Sequence, residues 1–137
     1  MNSCQQGLDV LFMGNSYTQN NNLDGLVESA LQQNSPSANA DRLAAGGLRL
    51  DQHATRAQTA GHQWNTTLNN GNWDWVILQD QSQVPSFPPT SSQYWQDSKN
   101  GAIILDGMIE DQGAETVFLM TWGRRDGDSQ NQWRSPD

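Results

Sequence analysis

At 137 residues and a net charge of −8, the chain has the length of one domain, and its seven Lys and Arg against fifteen Asp and Glu speak against nucleic acid and anionic membranes as partners, since both require clustered cations. The apolar fraction, 34%, suffices for a layered core, and no stretch approaches the roughly 20 apolar residues of a membrane span. The single cysteine, Cys4, excludes an internal disulfide and a cysteine metal site, and Met1 to Gln6 carries neither the basic patch nor the apolar run of a secretion leader, so the compartment stays open.

Leu8-Asp9-Val10-Leu11-Phe12-Met13 is an apolar run that breaks at Gly14-Asn15-Ser16, which reads as a buried strand delivering Ser16 to a loop. Gln19 to Asn22 is polar and reads as loop. Leu23, Leu26, Val27, Ala30 and Leu31 then recur on one helical face, and Asn34-Ser35-Pro36-Ser37 ends that helix. Arg42 to Ala45 is short enough for a second strand, stopping at Gly46-Gly47. From Leu50 to Leu68 the apolar residues lie three or four apart, with Gly61 predicted to bend or interrupt the helix.

Asn69-Asn70-Gly71-Asn72 is a turn, and Trp73 to Leu78 gives a β-rich third strand that opens into Gln79-Asp80-Gln81-Ser82. Three prolines between Val84 and Ser92 place that segment in a loop outside the sheet. A helix follows with Tyr94, Ala102, Leu105, Met108 and Ile109 on one face and Gly113 at its end. Thr116 to Met120 is a fourth strand, leading into Thr121-Trp122-Gly123-Arg124-Arg125-Asp126. The order β-α-β-α-β-α-β predicts an α/β fold with a parallel sheet, helices on both faces and right-handed crossovers, as one domain over residues 1–137.

In such a sheet the carboxyl ends of the strands share one edge, so the loops beginning at Gly14, Gly46, Gln79 and Thr121 become neighbours. That edge offers a hydroxyl on Ser16, a close-approach glycine backbone at Gly46 and Gly47, side-chain amides on Gln79 and Gln81, and Arg124 and Arg125 beside Asp126. Ser16 suits a nucleophile if a base takes its proton, and equally suits a turn former or helix cap. The glycine N–H groups and the amides suit an oxyanion, or merely a tight turn and solvated glutamines. The arginines suit a carboxylate or sugar ligand, or a local ion pair. Trp73, Trp75 and Trp122 suit sugar stacking, or packing.

Phe12-Met13-Gly14-Asn15-Ser16-Tyr17-Thr18, Ala45-Gly46-Gly47 with His53 following, Trp75 to Gln83, and Met120 to Gly127 together resemble, in order, the SGNH (GDSL-type) hydrolase superfamily in a poorly characterised bacterial branch. The resemblance implies a flavodoxin-like three-layer α/β/α sandwich that hydrolyses esters, acyl or carbohydrate, without metal or organic cofactor. It places the nucleophile and first oxyanion donor on Ser16, the second donor on Gly47 or else Gly46, and the third on Gln81, with Gln79 as a competing assignment. Asn15 stands where the family has aspartate, and Gln81 where it has asparagine. Asn15, Gly46, His53, Gln79 and Arg125 complete the edge of the expected site.

The family's late Asp-x-x-His block has no counterpart after Arg125, and the last crossover and strand are also missing, so the resemblance further implies a domain cut short before its acid and base. His53 and His62 are the histidines present. The expectation is therefore a serine ester hydrolase that is inactive in this piece, acting on a small-molecule or carbohydrate ester. The alternative is a non-catalytic carbohydrate-binding or interaction module on the same fold, with a phosphate or nucleotide binder disfavoured by the lack of lysine near either glycine turn.

Overall fold

The computed structural model describes residues 7–122 and 126. The sheet is four-stranded and wholly parallel, in the order β2-β1-β3-β4, with β1 Asp9–Gly14, β2 Asn39–Ala44, β3 Trp75–Leu78 and β4 Glu115–Phe118. The first crossover carries α1 (Ser16–Asn20) and α2 (Leu23–Gln32), the second α3 (Leu50–Gln58) and α4 (Gln63–Asn70), and the third α5 (Gln93–Asp111). The predicted α/β class and parallel order are those observed.

Alternation along β1 explains the two outer layers. Leu11 and Met13 point to the face covered by α3, α4 and α5, where Leu50, Ala54, Leu68, Leu105 and Ile109 close the larger core. Val10 and Phe12 point to the opposite face, against Leu23, Val27 and Leu31 of α2. Both faces of β1 are covered, so the strand is a continuous apolar run rather than an alternating one.

Two local differences from the sequence reading, and the interruption it expected at Gly61, have physical causes. The segment after Ser16 forms one helical turn, α1, because the buried Asn15 side chain accepts the Tyr17 N–H and caps it. The 50–68 region is two helices, separated at Gly61, whose φ of +80° is incompatible with a continuing right-handed helix. Within the proline-rich loop, Val84–Ser86 makes a 3-10 turn, after which Ser92 caps α5 by accepting from Trp95 N–H.

Gly101 is where α5 lies directly on the start of α3. A Cβ there would stand 2.5 Å from Asp51 N and 2.6 Å from Leu50 C, so glycine permits the approach of the two backbones. That contact brings the β3-to-α5 connection over the carboxyl edge of the sheet. β4 is less covered than its neighbours, with Val117 and Phe118 exposed.

Candidate functional site

Gly14, the last residue of β1, is fixed by space. A Cβ at this position would collide with Thr18 Oγ1 and lie 2.8 Å from Gln79 Oε1. The strand therefore ends tightly against the β3 loop, and Ser16 follows as the first residue of α1. The Ser16 hydroxyl has no hydrogen-bond partner among the described residues, and its backbone N–H, in the first turn, has no intrahelical acceptor.

Beneath Ser16 lies a buried polar network centred on Asn15 and Gln79, 3% and 1% exposed. Asn15 Nδ2 donates to Leu48 O (3.1 Å) and Asp80 O (3.0 Å), while Asn15 Oδ1 accepts from Tyr17 N–H and from Gln79 Nε2 (2.8 Å). Gln79 Nε2 also donates to Asp80 O (2.9 Å), and Gln79 Oε1 accepts from Thr18 Oγ1 (2.7 Å). Asn15 thus links the ends of β1, β2 and β3. An aspartate there has no donor for the two carbonyls, which explains the asparagine at this position.

The network also separates the two glutamines. Gln79 has both amide protons and its carbonyl engaged inside the protein, so it is a strut and has nothing left for a ligand. Gln81 is half-buried, and its Oε1 accepts from Gln83 N–H (2.7 Å) and Val84 N–H (3.3 Å), which anchors the side chain. Its Nε2 has no partner among the described residues.

On the second loop, Gly46 and Gly47 form the exposed tip of a turn closed by Leu48 N–H to Ala45 O. Gly47 has φ +69°, a left-handed conformation, whereas an added Cβ at either glycine meets nothing within 4 Å. Of the pair, Gly47 is the one whose backbone demands glycine.

His53 is the main correction. Expected at the site edge, it is fully buried below Gly14, with Trp64 Nε1 donating to His53 Nδ1 at 2.8 Å. That bond makes Nδ1 the acceptor and leaves Nε2–H to donate to Gly14 O at 2.9 Å. Burial pushes the imidazole pKa down to about 4, with the Gly14 bond opposing and Arg56 adding to the fall. A neutral ring with both nitrogens committed cannot take a proton from Ser16. His62 has one ring nitrogen engaged, its Nδ1 accepting Trp64 N–H as the cap of α4.

Asp80 has no role in the sequence reading and a structural one in the fold. Its Oδ1 accepts from Gln81 N–H (2.7 Å), Ser98 Oγ (2.9 Å) and Leu50 N–H (3.2 Å), joining the β3 loop to α5 and α3. Burial raises its pKa, and these three donors partly restore the charged form. Its only signal in the sequence was its place between two glutamines. Thr18, on the buried side of α1, gave none.

On the fourth loop, Trp122 is exposed and stacks on Tyr17, with ring centroids 4.9 Å apart and planes 4° from parallel. Trp73 is buried and donates to Thr67 O, so it packs; Trp75 is partly exposed on β3. Arg124 and Arg125 lie outside the described residues. Among the described residues, no group of three or more His, Cys, Asp or Glu side chains is placed to hold a metal, and no helix is long and apolar enough to cross a membrane.

No family model matches the sequence, and no curated protein does. Among solved structures, a protein described as "a putative SGNH hydrolase from Slackia heliotrinireducens" shares the fold with a TM-score of 0.71 and 25% sequence identity. The likeness covers 87% of this chain and 59% of that one, so this chain spans about three fifths of the length of its structural relative. The fold is SGNH-hydrolase-like. Ser16, Gly47 and Gln81 stand on three successive loops at the carboxyl edge of the parallel sheet.

Proposed function

We propose that this chain is a serine ester hydrolase domain in which Ser16 attacks the acyl carbon of the ester. The carrying observation is the unpartnered Ser16 hydroxyl at the strand-to-helix turn, held there by a polar network that leaves the Gln81 amide available. The developing oxyanion takes hydrogen bonds from Ser16 N–H, Gly47 N–H and Gln81 Nε2, donors whose value lies in the negative charge that forms in the transition state. The tetrahedral adduct expels the alcohol, leaving an acyl-serine that water then hydrolyses. No metal or organic cofactor enters these steps.

The serine must lose a proton, and both ring nitrogens of His53 are already engaged. The resemblance assigns that proton to the histidine of an Asp-x-x-His pair. Reaction with a fluorophosphonate probe tests both halves. Covalent labelling of the parent chain, accelerated by added imidazole and absent in Ser16→Ala, is the expected result. Equal labelling of parent and variant rejects Ser16 as nucleophile.

A second reading is a non-catalytic carbohydrate-binding module, favoured by one observation, the exposed Trp122 ring stacked on Tyr17 beside Ser16. Such a module shows no imidazole-dependent labelling, and it loses sugar binding in Trp122→Ala.

A further inference from the structure

Asp80 is bonded to each of the three loops that carry the proposed oxyanion donors. Its main-chain carbonyl accepts Asn15 Nδ2 (3.0 Å), on the residue immediately before Ser16. Its carboxylate Oδ1 accepts Gln81 N–H (2.7 Å) and Leu50 N–H (3.2 Å), where Leu50 begins α3 at the end of the loop that holds Gly47. Ser98 Oγ of α5 donates to the same oxygen at 2.9 Å.

The Leu50 N–H lies in the first turn of α3 and has no acceptor within its own helix, so Asp80 supplies one from across the sheet edge. Arg49, at the cap position, instead gives its guanidinium to Asp51 in two bonds of 2.9 Å. Gln81 is held at both ends, its main-chain N–H by Asp80 and its Oε1 by Gln83 and Val84 N–H, which directs Nε2. A carboxylate one residue from an oxyanion donor opposes the forming negative charge. What Asp80 contributes is therefore the place of its oxygen, and a donor displaced by about 1 Å costs as much as roughly 100-fold in rate.

Resting on the hydrolase reading, we infer that Asp80 is a positioning residue: through Oδ1 it fixes the Gln81 donor against the start of α3, and so sets the spacing of the oxyanion donors around Ser16. Around it stand Asp51 and Arg49 of α3, paired with each other, and Lys99 of α5, which lines a cleft with it.

Imidazole-assisted fluorophosphonate labelling and amide NMR test this together. Asp80→Asn keeps an oxygen for the three donors and is expected to label within about threefold of the parent rate, whereas Asp80→Ala is expected to label roughly tenfold or more slowly. In a Gln81→Ala background, Asp80→Ala should slow labelling by no more than about threefold, because the donor it places is gone. A general loss of structure would multiply in both backgrounds. Where Asp80→Ala does not fold, the parent and Asp80→Asn decide. The Gln81 and Leu50 amide protons of the parent should titrate with one shared midpoint, above the ordinary carboxylate value because burial and nearby Asp51 raise the Asp80 pKa, and should not titrate in Asp80→Asn. Parent-like labelling in folded Asp80→Ala, lost labelling in Asp80→Asn, an undiminished effect in the Gln81→Ala background, or separate midpoints for the two amides overturns the inference. The amide titration needs no nucleophile: a shared midpoint without labelling rejects the hydrolase reading alone, and labelling with separate midpoints rejects the role of Asp80 alone.

Discussion

Acidification should expose the structural role of His53. Its folded pKa is about 4 against 6.5 for the free side chain, because burial penalises the imidazolium and Arg56 adds to the fall. Between those values the unfolded chain binds a proton that the folded protein refuses, so stability is complete above about pH 6.5 and is lost as pH falls toward 4. From pH 7 to pH 4.5 the difference amounts to about 2.5 kcal/mol, at 1.36 kcal/mol per pKa unit. Asp80, whose pKa burial raises, works the other way, since its folded form takes up a proton before its unfolded form does. Comparison with His53→Gln removes that term and all other carboxylates. Urea unfolding at the two pH values should show the parent losing about 2 kcal/mol more than the variant, whatever the variant costs at pH 7. Parallel losses, within about 0.5 kcal/mol, would refute the claim that His53 is a neutral buried strut.

Four further substitutions test the frame of the site. Asn15→Asp replaces the donor to Leu48 O and Asp80 O with a buried carboxylate, and should cost about 3 kcal/mol or more in urea unfolding at neutral pH. Gln79→Leu leaves Asn15 Oδ1 and Thr18 Oγ1 without their partner and should cost about 2–4 kcal/mol by the same measurement. Gly101→Ala pushes α5 off the backbone of α3 and should lower stability by about 1–3 kcal/mol, seen as a fall in Tm. Gln81→Ala should change stability by less than about 1 kcal/mol yet slow fluorophosphonate labelling roughly 100-fold or more, which separates it from Gln79.

The elements were legible because each has a strong local signal. The apolar run ending at Gly14 and the 3.6-residue period of α2 and α5 come from neighbouring residues alone. Alternation of strands with helical crossovers then predicts parallel pairing, and the order β2-β1-β3-β4 follows that logic. Less legible was α1, because five polar residues have no period, and their helical turn depends on a cap that is itself held by Gln79 across the sheet.

The residues by themselves determine that a serine, a glycine pair and two glutamines reach one edge, since strand order dictates where loops meet. They do not determine which glutamine is a strut and which is available, or whether a histidine six residues past Gly47 faces the edge or the core. Those choices depend on hydrogen bonds between Gln79 and Asn15, 64 positions apart, and between His53 and both Gly14 and Trp64. A buried polar group must find its partner, and that partner is supplied by whichever chain segment folding places beside it. Tertiary structure alone therefore turned His53 from a possible base into the support of the strand that presents Ser16.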